Sequence, residues 1–333
     1  MVNCSENIRT EVDKKDKFGY YIVIMNEKFL LSSEITCLSD KTDFPKKGCA
    51  VAVGNFDGIH LGHRALLLKL TEEAKRLDLP AVVFSFDPDD NPKSALLLAD
   101  KSQKSKLLRK LGVDVLVSGR FSDFRDVTAT DFAMEFLLGE LGAKSIICGY
   151  DFRFGKGREG SVALLRELLL PEGVEVCVPQ AVETDGTPIS SSLIRNLVSS
   201  GEAAKASALL GRYFSFSSRV CEGARLGRRL GFPTINQPYP QTMVKPRFGV
   251  YAVYIKLEGG IYSGVANFGV KPTVGGSEPI CETHIFDYSG DCYGKTAEIY
   301  FVEFLREEEK FDSLEQLKEQ IERDKIKALS VLL

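Results

Sequence analysis

Residues 49–63 read CAVAVGNFDGIHLGH, and the organisation of the whole chain follows from how they are taken. A continuous apolar run that ends in a glycine-containing turn describes a buried strand, and GHRALLLKLTEEAKRLDL directly after it has helical spacing. Outward from this step the same alternation recurs: PAVVFSF then KSQKSKLLRKL, GVDVLVSG then TATDFAMEFLLGEL, AKSIICGY then GSVALLRELLL, closing on GVEVCVPQ. Strands separated by helices in this way predict an α/β domain, a doubly wound parallel sheet covered on both faces. Ligands of such sheets bind beyond the carboxyl ends of the strands, where VGNFDGIHLGH and GYDFRFGKG fall.

Two short helices, SSLIRNLVSS and GEAAKASALLG, come next, and then the pattern changes. From Tyr213 onward YFSFSSRVCEG, GVYAVYIKL, IYSGVANFGV, CETHIFDY and KTAEIYFVEFL read as strands between Gly, Pro and Asp turns. They predict a compact antiparallel β-barrel or sandwich closed by one terminal helix, SLEQLKEQIERDKIKAL, with a Ser or Asp cap. The expected divisions are 1–47, an extension of unknown role in which YYIVIMNEKFLL could form a strand or hairpin; 48–188, the α/β domain; 189–211, a helical linker; and 212–333, the β domain.

The chain has 333 residues and a formal charge of −3, so it lacks the basic footprint of a nucleic-acid binder. Its eight cysteines are scattered without CxxC spacing, which favours reduced thiols. The polar start carries no signal-peptide pattern, and no apolar run approaches a membrane span. A cytoplasmic protein with neither nucleic-acid nor membrane partners is expected; its oligomeric state is not legible.

His60 and His63 are three residues apart. With a helix starting near Ile59 they would share a face at its N-terminus, where free N–H groups and the helix dipole favour phosphate. Gly54, Gly58 and Gly62 permit close approach of backbone to an anion. A zinc pair would need further ligands at suitable spacing, and two incidental surface histidines are the plain alternative. GKGREG at 155–160 fits GxGxxG, but it does not follow directly on a strand and reads as a chance match.

GNFDGIHLGH resembles the signature of the HxGH nucleotidyltransferases, in particular the prokaryotic bifunctional riboflavin kinase/FAD synthetases. GYDFRFGKGREG at 149–160 and ISSSLIR at 189–195 resemble the same family, with Ser192 where its pattern has Thr. The resemblance implies a Rossmann-like nucleotidyltransferase domain in which His60 and His63 contact the ATP phosphates. Gly54, Asn55, Phe56, Asp57 and Gly62 would shape the nucleotide loop, and Ser190, Ser191 and Arg195 would help hold the phosphates.

In the second half, GFPTIN resembles the GxPTAN element of riboflavin kinases, with Ile235 replacing Ala, and ETHIFDY resembles the strand that holds their catalytic glutamate. Glu282 is then the base, Thr234 and Asn236 ligate Mg²⁺ and orient the phosphate, and Gly223 to Gly231, with Arg228, folds over ATP. The implied substrates are riboflavin, FMN and ATP. One departure stands out: FDPDDNPK at 86–93 has Asp89 or Asp90 where the family carries a histidine. An acidic group there predicts repulsion of triphosphate. It leaves open a riboflavin kinase with an impaired transferase, or a non-catalytic flavin or nucleotide sensor.

Overall fold

The computed structural model describes residues 12–15, 21–23, 33–39, 47–90, 96–222, 231–273 and 276–332. The chain divides into two compact units, Met1–Ala95 with Lys101–Ile189, and Leu96–Asp100 with Ser190–Leu333.

The first unit is built on one mixed sheet. Its strands are β1 (Val12–Lys15), β2 (Tyr21–Val23), β3 (Glu34–Cys37), β4 (Cys49–Val53), β5 (Ala81–Phe86), β6 (Val115–Gly119), β7 (Ala143–Ile147) and β8 (Glu175–Cys177). Spatial order is β1-β2-β3-β6-β5-β4-β7-β8, and β6 through β8 run parallel. All five residues of β4 are buried, as a central strand with both faces covered requires. Alternate residues feed opposite cores. Val51, Val53, Val82 and Phe84 pack with Phe132, Phe136, Leu165 and Leu169, while Ala50, Ala52 and Val83 pack with Leu67, Leu70 and Leu108.

The second of these cores is covered by α1 (Leu61–Leu77) and α2 (Lys101–Lys110). The first is covered by the helical stretch 129–140, wide-turned from Phe132, and by α3 (Val162–Leu169). All four expected helices are present. Two features differ from the all-parallel reading. β3 pairs antiparallel with β6, Ile35 opposite Val117, and β2 pairs antiparallel with β3, so part of the N-terminal extension covers the sheet's edge. The strand expected within YYIVIMNEKFLL is present at Tyr21–Val23; residues 24–32 lie outside those described.

In the second unit α4 (Ser191–Ser199) and α5 (Ala203–Leu210) precede six antiparallel strands. These are β9 (Phe214–Arg219), β10 (Thr234–Pro238), β11 (Gly249–Leu257), β12 (Gly260–Thr273), β13 (Gly276–Ile285) and β14 (Thr296–Arg306), in the order β9-β14-β11-β12-β13-β10. The sheet curls as a barrel does, and Cys221, just past β9, bridges to Asn236 of β10. Its inside is aromatic: Phe216, Tyr239, Phe268, Tyr251 and Phe301 meet edge to face or tilted. The terminal helix α6 (Leu314–Leu332) lays Ala328 and Leu332 on the other face, against Val250, Ala252 and Val302. Ser313 caps it, its hydroxyl accepting from the Gln316 N–H at 3.2 Å.

Candidate active sites

The sheet of the first unit reverses direction at β4, with β5 on one side and β7 on the other, and the chain leaves β4 into Gly54–His60. Gly54 donates its N–H to the Phe84 carbonyl at 3.1 Å. Phe56 adopts the left-handed conformation (φ 46°), and Asp57–Ile59 form a tight 3₁₀ turn with Gly58 at φ 75°. The helix therefore starts at Leu61, two residues later than expected. His60 lies outside it in extended conformation and caps it, its Nδ1 accepting the His63 N–H at 3.3 Å. The pair comes together through this cap rather than as neighbours on a helix face, and the rings stack with centroids 3.6 Å apart.

An accepting Nδ1 places the proton of a neutral His60 on Nε2. His60 is 4% exposed, and Gly62 is what lets it sit there: a methyl on Gly62 would meet the imidazole at 3.2 Å and the Ile189 carbonyl at 3.5 Å. His63 lies between His60 and the edge of Phe56. Burial first, then the charges of His60 and Lys104, hold its imidazole well below the ordinary histidine value, and its Nδ1 is buried without a hydrogen-bond partner. Among the described residues one trio, Glu73, Glu175 and Cys177, has metal-ligand spacing; it excludes the histidines, and Glu73 is paired with Lys69 and Arg76.

The acidic run after β5 is compensated locally. Lys101 of α2 pairs with Asp87 at 2.9 Å and with Asp89 at 2.8 Å; burial opposes its charge, yet these two bonds hold the ammonium above its ordinary value. Asp90 accepts from the Ser122 N–H at 2.8 Å and hydroxyl at 2.9 Å, which hold its carboxyl below the usual range. Residues 91–93 of FDPDDNPK lie outside those described. Lys156 and Arg158 of GKGREG sit in a short turn between two-residue strands, not between a strand and a helix, and Lys156 pairs with Asp126.

Ser190, Ser191 and Arg195 belong to the second unit. Ser190 caps α4, accepting from the Leu193 N–H at 3.2 Å, Ser191 is its first residue, and Arg195 donates through Nε to the Leu96 carbonyl at 2.7 Å.

The kinase-like stretches converge on one row across the sheet. Register places Asn236 of β10 opposite Glu282 of β13, Glu282 opposite Asn267 of β12, Asn267 opposite Val250 of β11, and Val250 opposite Arg306 of β14. Directly opposed residues share a face. The next row on that face pairs Thr234 with His284 and His284 with Val265. All of these except Asn236 wall a cavity of about 360 Å³ that Phe311 and, from α6, Leu317, Ile321 and Asp324 complete. Gly231 turns the chain (φ 89°) into Phe232 and Thr234; Gly223 and Arg228 lie outside the described residues.

Two amide oxygens in this row, Asn236 Oδ1 and Asn267 Oδ1, are buried without partners, and Asn236 is only 5% exposed. With the Thr234 hydroxyl and the Glu282 carboxylate they make an all-oxygen donor set, which suits a hard divalent cation. Asn267 donates to Glu308 at 3.0 Å, and Arg306 grips the buried Asp324 of α6 through Nε at 2.9 Å and Nη2 at 2.8 Å.

Sequence reasoning missed Lys101 and Lys104, placing them only in a helix that covers the sheet, and also Asn267, Arg306 and Asp324. For Asn267 a weak signal was present, since it lies in the strand-like run IYSGVANFGV that precedes ETHIFDY.

A family model described as FAD synthetase matches residues 43–193, and one described as riboflavin kinase matches residues 210–332. The chain is 38% identical over 291 residues to the bifunctional riboflavin kinase/FMN adenylyltransferase of Escherichia coli K12, covering 85% of this chain and 93% of that one. To the protein of the same description from Bacillus subtilis 168 it is 32% identical, over 84% and 91%. The crystal structure of a macrolide-efflux protein from Streptococcus pneumoniae is similar at 31% identity and a TM-score of 0.78, over 85% of this chain and 95% of that one. No helix among the described residues is long and apolar enough to cross a membrane. An FAD synthetase domain and a riboflavin kinase domain thus follow one another in a chain that belongs to the bifunctional riboflavin kinase/FMN adenylyltransferase family.

Proposed function

We propose that the chain converts riboflavin to FMN and FMN to FAD, with residues 212–333 carrying the first step, 48–188 the second and 189–211 the linker with its phosphate-binding serines. The cross-strand row supports the kinase half most directly, because it sets one carboxylate between two amides, with Glu282 and Asn267 on the wall of a cavity. Glu282 takes the proton of the ribityl 5′-hydroxyl as that oxygen attacks the γ-phosphorus of ATP; the bond to ADP breaks and FMN forms. Thr234 and Asn236 hold Mg²⁺, which when bound neutralises charge on the phosphates. The unpartnered Asn236 Oδ1 is the acceptor suited to that role.

In the transferase half a phosphate oxygen of FMN attacks the α-phosphorus of a second ATP, and pyrophosphate leaves. His60 and His63 act there as neutral donors, His60 through Nε2–H, toward the charge that develops on the α-phosphate oxygens. Gly54, Asn55, Phe56, Asp57 and Gly62 shape the loop, while Ser190, Ser191 and Arg195 supply donors to the phosphates. Asp89 and Asp90 are each held by a local partner, so the repulsion expected of FDPDDNPK is offset at its source, which favours the bifunctional reading over an impaired transferase. The acidic balance of the chain favours a cytoplasmic enzyme of small-molecule substrates with no nucleic-acid or membrane partner.

Purified protein given riboflavin, ATP and Mg²⁺, with flavins separated by chromatography, tests both steps. FMN followed by FAD is expected. FMN that accumulates without FAD removes the transferase half, and unchanged riboflavin removes both.

A further inference from the structure

Lys104 of α2 directs its ammonium beneath the histidine loop. Nζ donates to the Asn55 main-chain carbonyl at 2.8 Å and to Ser85 Oγ at 2.6 Å, and the Ser85 hydroxyl donates to the same carbonyl at 3.1 Å. One cation thereby ties together α2, the end of β5 and the loop after β4. The carbonyl it grips belongs to the residue before Phe56, where the chain turns left-handed toward His60 and His63.

Burying an ammonium is costly. Anchoring α2 to the sheet does not require it, since Leu108, one turn on, does that with a fully buried apolar side chain. Neither acceptor of Lys104 is a carboxylate. Of the charged groups around it, Asp57 after β4 and Asp87 after β5 attract, Lys101 on its own helix repels, and His63 at the start of α1 feels its charge. Asp87 is already engaged by Lys101 at 2.9 Å.

We propose that Lys104 is a positioning residue for adenylyl transfer: its ammonium fixes the Asn55–Phe56 turn that carries the histidine pair and supplies positive charge behind it, where the triphosphate is read. The assignment rests on the reading of His60 and His63 as the phosphate-facing pair. Burial, the largest influence, pushes the ammonium down to about 8 against the pull of Asp57 and Asp87, so the charge that does this work is lost in mildly alkaline solution.

The test uses the full chain, supplied FMN, ATP and Mg²⁺, with FAD formation followed across the range that brackets pH about 8, in wild type, Lys104→Arg, Lys104→Met and His63→Ala. Riboflavin phosphorylation by the same preparations reports folding. Lys104→Met should slow FAD formation about 10- to 100-fold with FMN formation unchanged. Wild type should show an alkaline limb near pH 8 that moves upward in Lys104→Arg and is absent from Lys104→Met. A Lys104→Met rate within about twofold of wild type, while His63→Ala is slow, overturns the Lys104 assignment alone. So does a limb that persists in Lys104→Met, or a wild-type profile without one. Wild-type transfer by His63→Ala overturns both the histidine reading and the role built on it.

Discussion

Glu282 and Asn267 stand directly opposite each other on β13 and β12, with Asn236 flanking Glu282 on its other side. Along the same row Arg306 lies two strands beyond Asn267 and is committed to Asp324. Glu282 is the one carboxylate of this row, the kind of group that can accept a proton or help hold a metal.

Glu282→Gln keeps the shape of the row and removes the carboxylate proposed as the base. FMN formation should fall by about 10²- to 10⁴-fold, while FAD formation from supplied FMN continues at the wild-type rate. Chromatography of the two half-reactions checks this, and surviving kinase activity would remove Glu282 from the role of base.

Gly62→Ala puts a methyl 3.2 Å from the His60 ring. The ring must shift, the stack on His63 opens, and FAD formation should drop by about tenfold or more with FMN formation unaffected. Steady-state rates on supplied FMN read this directly; unaltered kinetics would show that the histidine geometry is not critical.

His63 contributes to acid sensitivity with a defined sign. Its folded value lies well below 6.5, whereas the unfolded chain takes up a proton near that pH. As pH falls through about 6.5 the unfolded state binds a proton that the native state refuses, so stability present at neutral pH is lost on acidification. Denaturant midpoints of the transition that includes the FAD synthetase domain should fall more steeply between pH about 7.5 and 5.5 in wild type than in His63→Gln. Parallel slopes would contradict it.

Arg306→Leu removes the cation from the Asp324 carboxylate, 5% exposed on α6, and leaves it the neutral donor Gln320. Removing one partner of a buried pair costs about 3 kcal/mol, while replacing both by apolar residues costs far less. Arg306→Leu should thus be markedly destabilised, and Arg306→Leu with Asp324→Leu should recover most of the loss in chemical denaturation. Since both side chains line the cavity, the KM for riboflavin should rise more than that for ATP in either variant.

The parallel strands were legible because runs such as CAVAV and AVVF are continuously apolar and each precedes a helix with clear spacing. Glu34–Cys37 was not, because four residues of alternation carry too little signal and its partner, β6, lies some 80 positions away. Thr234–Pro238 was quoted as a motif without being recognised as a strand; prolines at 233 and 238 argue against a central strand and are tolerated here at the end of the sheet's order. His60 as a cap was missed for a physical reason: histidine is not among the favoured capping residues, and only the ring's position shows Nδ1 accepting the His63 N–H. Lys104 and Arg306 carry no local pattern at all. What distinguishes them from solvated cations is a carbonyl or carboxylate from a distant segment, and that depends on tertiary packing.

The row from Asn236 to Arg306 has a consequence for how this half of the chain can vary. Its members come from five strands spread over some 70 positions, and each keeps to this face of the sheet only while its strand keeps its frame against its neighbours. A single-residue insertion or deletion inside β12 or β13 would turn Asn267 or Glu282 to the aromatic interior, although every residue needed for chemistry would still be encoded. A point substitution alters one member and leaves the others in place, whereas a length change within these strands breaks the row at a stroke; tolerated insertions belong in the turns between them.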